Sequence, residues 1–254
     1  MKPFNTVLFA SLLLAPALSA ALAADLTPPM EQPVAVETSG AGFYLGSLNS
    51  ATFLDDTGFD LGGGAAGVDT DYDVGYYSAV RAGYNFGAMG FFGPRVELEL
   101  GYGNSSVDSH SVNGVGVASV DSFGDARTLQ AYVNGYLDIP LVAPGSGMFS
   151  AITPYLGGGA GIMNLELRRQ GISAIGTAID DDDTQFSYHL DAGVGINLQE
   201  LGLFNNISLF SNTTLDIGYR YTAADDFRFE ARDGTSSKTD FSSNAVTFGF
   251  RKQF

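Results

Sequence analysis

The chain has 254 residues, of which 45% are apolar and only 16% charged, and it contains 33 glycines, 19 phenylalanines and 12 tyrosines. Twelve Lys and Arg against 28 Asp and Glu give a net charge of −16, which excludes a nucleic-acid partner because phosphate binding needs clustered basic residues. The absence of cysteine excludes disulfides, thiolate nucleophiles and thiolate metal sites. The mean hydropathy of +0.10 is too apolar for a disordered chain.

Residues 1–23 have the organisation of a secretory signal peptide. Lys2 precedes an apolar segment at 7–18, and Ala21 and Ala23 follow at the spacing of a cleavage site. The apolar segment is shorter than the ~20 residues that a membrane-spanning helix needs. We therefore interpret it as a targeting signal that is removed.

Two further regions follow the signal peptide. Residues 24–41 contain Pro28, Pro29 and Pro33 and show no hydrophobic period, which predicts a flexible periplasmic N-terminal segment. Residues 42–254 are then the folded domain.

From residue 42 onward, apolar residues alternate with polar or small ones. Period two sends neighbouring side chains to opposite faces of a strand. Val96, Leu98 and Leu100 give the clearest apolar face. The first segment leaves a choice, since either Phe43 and Leu45 or Tyr44 and Leu48 could face outward. Eight segments alternate in this way: 42–53, 74–86, 95–102, 128–139, 153–163, 185–198, 215–221 and 245–254.

The connections between these segments alternate in character. Three are short and nearly uncharged: 87–93, 140–151 and 199–206. Four are long, polar and acidic: 54–73, 104–125, 165–184 and 222–242. Short turns on the periplasmic side and long loops outside are typical of a closed barrel that crosses a membrane. The predicted fold is therefore all-β, an eight-stranded antiparallel up-and-down transmembrane β-barrel.

A soluble β-sandwich or lipocalin-like barrel would alternate too, but its polar face would be rich in charge. Here the polar faces carry four arginines and five carboxylates, close to balance, although the whole chain is strongly acidic. Near balance is expected of an enclosed lumen, where an unpaired charge is costly and Arg–carboxylate pairing offsets that cost. The predicted lumen network consists of Arg81, Arg95, Glu97, Glu99, Asp138, His189, Asp191, Asp216, Arg220 and Arg251.

The last segment, 245–254, ends in Phe254 with Phe248 and Phe250 at alternate positions. It resembles the C-terminal assembly signal of Gram-negative outer-membrane barrels. Segments 132–138, 154–161 and 215–221 resemble strands of the OmpA/OmpX-like barrel family. The resemblance implies a location in the cell outer membrane, with outer-membrane lipids, lipopolysaccharide and the barrel assembly machinery as partners.

Candidate catalytic motifs are weak. The glycine-rich run 157–161 lacks the βαβ unit of a nucleotide-binding loop, so small residues in a crowded lumen explain it better. His189 and Asp191 are spaced like an acid–base pair, but a hydrogen bond in the lumen is the simpler interpretation. His110, between Ser109 and Ser111, is expected on a solvated loop. We predict no catalytic residue and no enzyme.

Two acidic runs, 69–73 and 180–183, carry oxygen ligands that would suit Ca²⁺ or Mg²⁺. The first lacks the glycine and terminal glutamate of a calcium loop, so solvated acidic loops are the preferred interpretation. We predict no metal site and no cofactor. Residues 111–120 and 227–231 alternate again, and one hypothesis is that strands continue above the membrane as hairpins whose edges pair with a partner strand.

The sequence thus favours a monomeric barrel with a structural and surface-interaction role, and with a surface ligand as a further partner. The alternative is a narrow, weakly cation-selective porin, because lumen glycines such as Gly101 and Gly193 leave volume that water could fill. A lower alternative is an outer-membrane lipid A deacylase or protease.

Deleting Phe254 is expected to block assembly while leaving secretion intact, because the terminal aromatic belongs to the predicted assembly signal. The measurement is the heat-modifiable folded band in the outer-membrane fraction, with Lys252→Ala as the control. Normal folded protein in that fraction after the deletion would contradict the prediction.

Overall fold

The structure is a computed structural model that describes residues 40–141, 148–201 and 210–254. The predicted signal peptide, residues 1–23, lies outside these residues, as does the predicted periplasmic segment up to residue 39. Residues 142–147 and 202–209 also lie outside them, and these include parts of the predicted turns 140–151 and 199–206.

The described residues are almost entirely extended. The strands are β1 (Ala41–Leu54), β2 (Thr57–Leu61), β3 (Ala66–Tyr72), β4 (Gly75–Phe86), β5 (Gly93–Val112), β6 (Val115–Val117), β7 (Ser122–Asp138), β8 (Ile152–Ile172), β9 (Gly176–Asn197), β10 (Thr213–Glu230) and β11 (Ser236–Gln253). None of the helical turns in the described ranges is long and apolar enough to span a membrane.

Eight strands form a closed antiparallel ring in the order β1, β4, β5, β7, β8, β9, β10 and β11. The ring closes where β11 pairs with β1, from Tyr44 opposite Gln253 to Leu54 opposite Ser243. The prediction of an all-β antiparallel fold is confirmed. Each of the eight predicted segments contributes one strand of this ring.

The two faces of the ring differ as the alternation predicts. Outward side chains are apolar and exposed, whereas inward side chains are buried and largely polar. In β1, Phe43 and Leu45 are 70% and 57% exposed, while Tyr44 and Leu48 are each 3% exposed. The choice left open for the first strand is therefore settled: Phe43 and Leu45 face outward. The Tyr44 hydroxyl faces inward because it donates a hydrogen bond to the Glu97 carboxylate, at 2.7 Å.

The four predicted long loops are mostly strand, so that part of the prediction is wrong. We call this region, residues 54–73, 104–125, 165–184 and 222–242, the crown. It contains β2, β3, β6 and the ends of β5, β7, β8, β9, β10 and β11. Many of the acidic side chains that suggested loops, such as Asp69, Asp71 and Asp182, are exposed on the outward face of these strands, whereas apolar ones such as Phe227 and Phe229 are buried inside.

The crown has its own apolar core inside the ring of strands. Phe227 and Phe229 stack with ring centroids 6.1 Å apart, and Leu165, Leu167 and Ile179 are fully buried beside them. Burial of apolar side chains of this size stabilises a fold by about 1.5–3 kcal/mol each. The core therefore fixes the crown as a folded layer above the lumen.

The hairpin of β2 and β3 supplies two strands of the crown that sequence analysis missed. It follows β1, whose ladder with β4 ends at Thr52 opposite Gly75. Its turn uses Gly62, Gly63 and Gly64, all with positive φ, a conformation that glycine adopts without steric cost. The hairpin lies between β5, with which β3 pairs, and β11.

Two junctions of the crown are bridged by side chains rather than by a backbone ladder. At the first, the N–H groups of Gly58 and Asp60 in β2 donate to the hydroxyls of Thr239 and Ser237 in β11, at 3.2 and 2.7 Å. These bonds occupy the place of a β2–β11 ladder.

The second junction explains the acidic run 180–183. The β9–β10 ladder ends at Ser187 opposite Ala224. Beyond it, Asp183 accepts a hydrogen bond from the N–H of Arg228, at 2.8 Å, and Asp181 accepts one from the N–H of Glu230, at 2.7 Å. The run therefore joins two hairpins, and its interpretation as a freely solvated loop is wrong.

Lowering the pH should weaken the hydrogen bond between the Asp183 carboxylate and the N–H of Arg228 at the β9–β10 junction. Burial alone would raise the pKa of Asp183, but hydrogen bonds from Gln185, Arg228 and Thr184 outweigh it and hold that pKa below its ordinary value of 3.8. A carboxyl with a depressed pKa stabilises the fold above its ordinary pKa, and that contribution is lost as the pH falls through the depressed value. We expect the Arg228 amide to lose hydrogen-exchange protection below about pH 4, as measured by NMR.

The variant Asp183→Ala should expose the Arg228 amide even at neutral pH. Asp182→Ala is the matched control, since Asp182 accepts from the Asn164 side chain and not from β10. Equal protection of Arg228 in both variants would contradict the role given to Asp183.

Candidate functional site

The ten residues of the predicted lumen network all lie inside the ring, and all are buried. They come from six strands: β4 supplies Arg81; β5 supplies Arg95, Glu97 and Glu99; β7 supplies Asp138; β9 supplies His189 and Asp191; β10 supplies Asp216 and Arg220; and β11 supplies Arg251. Each strand presents them at alternate positions because period two returns every second side chain to the lumen. The structure brings them together in two groups.

The first group is centred on Arg220. Its guanidinium contacts Glu99 through two nitrogens, at 2.6 and 3.1 Å, and Asp191 through two nitrogens, at 2.7 and 3.1 Å. Charge-assisted bidentate contacts of this kind are the strongest hydrogen bonds that side chains make. Arg220 therefore fastens β10 to both β5 and β9 across the lumen.

The second group is a closed loop of three arginines and three carboxylates. Asp216 accepts from Arg251 at 2.8 and 2.9 Å and from Arg81 at 3.2 Å. Arg81 is 3.6 Å from Glu97, which also contacts Arg95.

Asp138 completes the loop. It lies 3.0 Å from Arg95 and 3.6 Å from Arg251. Each charge of the second group therefore has two neighbours of opposite sign, and the group is neutral. Such pairing offsets the large cost of removing these charges from water.

Sequence reasoning missed the neutral partners of the network. Tyr77 donates to Glu99 at 2.8 Å, and Tyr136 donates to Asp191 at 2.6 Å. Asn134 donates to Glu99 at 3.1 Å, and its amide oxygen lies 2.9 Å from His189 Nε2. The alternation of side chains along a strand could have identified Tyr77, Asn134 and Tyr136, since they lie on the same inward face as the predicted charges.

Some lumen glycines make room for these tyrosines and leave no volume for water there. A Cβ on Gly101 would lie 2.1 Å from the Tyr77 hydroxyl, and a Cβ on Gly157 would lie 2.1 Å from the Tyr136 ring. No side chain fits at such distances. The Tyr136 ring in turn lies 4.0 Å from the Arg95 guanidinium carbon, within cation–π range.

A small cavity of about 30 Å³ lies above the network. Its lining includes Thr128, Gln130, Thr222 and Ser243, with Arg220 at its edge. A volume of this size holds roughly two water molecules. Above it, the apolar core of the crown fills the interior.

The catalytic candidates are buried. Ser187, His189 and Asp191 share the inward face of β9, and His189 Nδ1 lies 3.0 Å from Asp191. The Ser187 hydroxyl, however, lies 2.6 Å from that of Tyr132 and donates to the carbonyl of Ala223. It is engaged away from His189.

His110 does not lie on a solvated loop, and that expectation is wrong. The His110 side chain is buried in the crown because it lies on the inward face of β5. Its Nδ1 lies 3.0 Å from the Thr70 hydroxyl. Burial lowers the pKa of His110, against smaller raising effects from the carbonyls of Phe123 and Gly171 and from Asp71.

The acidic run 69–73 lies in and just after β3. Asp69 and Asp71 face outward, where they accept hydrogen bonds from Ser111 and Ser109 of β5 at 3.5 and 2.9 Å. Within the described residues, no group of three His, Asp or Glu side chains is arranged to hold a metal ion.

A family model described as outer membrane protein beta-barrel domain matches residues 10–254. No curated protein matches the chain.

Among solved structures, the chain is similar to Neisserial surface protein A (NspA), with 17% identity over 85% of this chain and 100% of that one and a TM-score of 0.45. It is similar to OprG from Pseudomonas aeruginosa, with 14% identity, 85% and 98% coverage and a TM-score of 0.42. It is also similar to the outer membrane protease OmpT from Escherichia coli, with 8% identity, 84% and 94% coverage and a TM-score of 0.42.

Arg220→Met should destabilise the protein strongly, because it leaves Glu99 and Asp191 without their shared cation. Breaking a buried ion pair in this way costs about 3–5 kcal/mol. The measurement is the free energy of unfolding by urea in lipid vesicles. Arg228→Met, an exposed residue of the crown, is the control and should change it by less than about 0.5 kcal/mol.

Replacing Glu99 and Asp191 by neutral side chains tests whether their unpaired charges cause the loss of stability. Arg220→Met combined with Glu99→Gln and Asp191→Asn should recover much of the lost stability. A loss for Arg220→Met no larger than for Arg228→Met would show that the contacts of Arg220 are not stabilising.

Proposed function

The chain belongs to the outer membrane protein beta-barrel domain family, and we propose that it is an eight-stranded transmembrane barrel with a structural and surface-interaction role. Its location is the outer membrane of Gram-negative bacteria. The proposed role is neither transport nor catalysis. The apolar outward face of the ring contacts lipid, and the crown stands outside the cell.

The observation that carries this proposal is the filled interior. Two layers obstruct the path through the ring. Arginines, carboxylates and tyrosines fill the first, and the apolar core around Phe227 and Phe229 fills the second. An eight-stranded barrel is just wide enough for side chains to fill. A solute would have to displace both layers.

The narrow porin is the second candidate, and the cavity beside Arg220 is the observation that favours it. Hydroxyl and amide groups line part of that cavity, which holds roughly two waters, but apolar side chains such as Leu54 and Phe241 line it too, and it lies below the apolar core. Continuous water through the crown would require the phenylalanines to move. The closed lumen is therefore the better supported alternative.

The enzyme alternatives have less support. Ser187, His189 and Asp191 are enclosed in the lumen, where a lipid or peptide substrate has no access. His110 is buried too, and its Nδ1 contacts the hydroxyl of Thr70 rather than a carboxylate. Neither histidine forms an accessible nucleophile–base pair.

The proposed partners follow from the surfaces. The exposed apolar band fits outer-membrane lipids and lipopolysaccharide. Phe254 is exposed, and Phe248 and Phe250 lie on the outward face of β11, where the barrel assembly machinery could contact them. The proposal includes a monomer, which the closed ring supports because it leaves no strand edge to pair within the membrane.

Planar-bilayer recordings test the closed lumen. The purified protein is expected to give no stable conductance steps, because both layers exclude ions. Cation-selective steps that shift on Arg95→Ala would instead establish the narrow pore. Lipid A deacylation or proteolysis lost on mutating His189 or His110 would contradict the non-enzymatic role.

A further inference from the structure

The hairpin of β5 and β6 carries a strand edge that no described strand covers. Its turn is Asn113-Gly114, with φ of 49° and 76°, as in the type I′ turns of tight hairpins. Val112 pairs with Val115, and His110 pairs with Val117. The alternation of an antiparallel ladder then points the N–H and C=O of Gly116, the residue between, away from β5.

The neighbouring strands end before they reach this edge. β7 takes the place of β6 lower on β5, and its ladder with β8 ends at Ser122 opposite Ile172. β8 then turns into β9 through residues 173–175. One strand position beside β6 is therefore unoccupied by any of the described residues. Gly116 itself is exposed, which agrees with this.

Exposed apolar side chains lie on β6 and on the two turns that follow β6 and β8. Val115, Val120 and Ile175 are 70%, 80% and 64% exposed, and they are the exposed large apolar side chains of the crown. The N–H of Ser173 donates to the carbonyl of Asp121 at 2.8 Å, which places the turn holding Ile175 against the segment holding Val120. Exposed apolar residues grouped away from lipid are typical of interaction sites.

The charge pattern indicates what could bind there. Residues 112–120 contain no charged residue, although exposed strand edges are usually protected by charge. The crown as a whole carries 19 Asp or Glu against 5 Lys or Arg. A partner with net positive charge is therefore attracted to the crown, while the uncharged segment allows close contact with an apolar strand.

We propose that the edge of β6 is a docking site for an extended peptide segment that carries small apolar side chains at alternate positions and basic residues at its ends. The segment adds a strand beside β6 by bonding to the N–H and C=O of Gly116. Its apolar side chains contact Val120 and Ile175, and its basic ends meet the acidic crown. This inference rests on the proposed surface-interaction function and gives it a site and a class of partner.

The test uses the full chain in lipid nanodiscs and a fluorescent peptide of alternating Val and Thr with a pair of lysines at each end. Gly116→Pro removes the outward N–H without touching the ladder bonds of Val115 and Val117. It should weaken binding about tenfold, equivalent to ~1.4 kcal/mol. Gly116→Ala, which keeps the N–H, is the matched control and should bind like the unmodified chain.

Changes in the peptide keep the proposal testable if Gly116→Pro fails to fold. N-methylation of the backbone N–H groups along one edge of the peptide should abolish binding, and replacing its lysines with glutamates should weaken it strongly. Equal binding by the Glu-flanked peptide, or by Gly116→Pro, would overturn the proposal. So would a photocrosslink from position 120 that joins two copies of this chain instead of the peptide.

Failure of this inference is distinguishable from failure of the proposed function. An unmodified chain that binds no peptide yet gives no conductance in bilayers would overturn the docking site and leave the closed, structural barrel standing. A conducting lumen would overturn the proposed function whatever the peptide does.

Discussion

The structure depends on the closure of its ring in a solvent that offers no hydrogen bonds. Lipid leaves an unpaired backbone N–H or C=O without a partner, at a cost of several kcal/mol for each group. The ladder from Tyr44 opposite Gln253 to Leu54 opposite Ser243 removes the edges that β1 and β11 would otherwise have. Because β1 and β11 are paired, the outward face can be apolar, and the polar side chains lie in the lumen or in the crown.

Closure creates the problem that the charge network solves. Four guanidinium groups are enclosed in a narrow space, and each finds carboxylates on other strands. The loop through Arg81, Arg95 and Arg251 is neutral by itself, and Arg220 binds two further acids. Because these contacts cross from β4 and β5 to β10 and from β7 to β11, the network also resists flattening of the ring. Tyrosine rings that pack against glycines fill lumen volume between the charged groups.

Period two made much of this predictable. Apolar residues such as Leu98 and Leu190 located the ring strands and their faces, and parity alone placed ten charged or titratable residues in one lumen. Tyr77 and Tyr136 were missed because a tyrosine suits a lumen, a lipid interface or a core equally well. The position of Tyr44 was undecided for the same reason. Which charges pair could not be predicted, since pairing depends on the stagger between strands, and this is set by turns and ladders rather than by local pattern.

The sequence predicts loops in the crown, where the structure has strands, for a different physical reason. In water an outward-facing strand carries polar side chains, so Asp69, Asp71 and Asp182 suggested loops where strands continue. The apolar residues between them, including Phe227 and Phe229, were noted as alternating, but their depth inside the ring was not evident without the partner strands. The glycine turn at 62–64 was the available signal for the β2–β3 hairpin.

The contrast between crown and membrane layer also explains where recognition can occur. In lipid, an incomplete ladder is not tolerated, so the membrane part of the ring has no edge to offer. In water, the junction of β9 and β10 holds with carboxylates in place of a ladder, and β6 keeps an uncovered side, because solvent satisfies the remaining groups. The outward face below the crown is occupied by lipid, and the lumen is occupied by its own charges. At this end of the ring, the crown is the surface available to other molecules, and within it the segment 112–120, which includes β6, carries no charge.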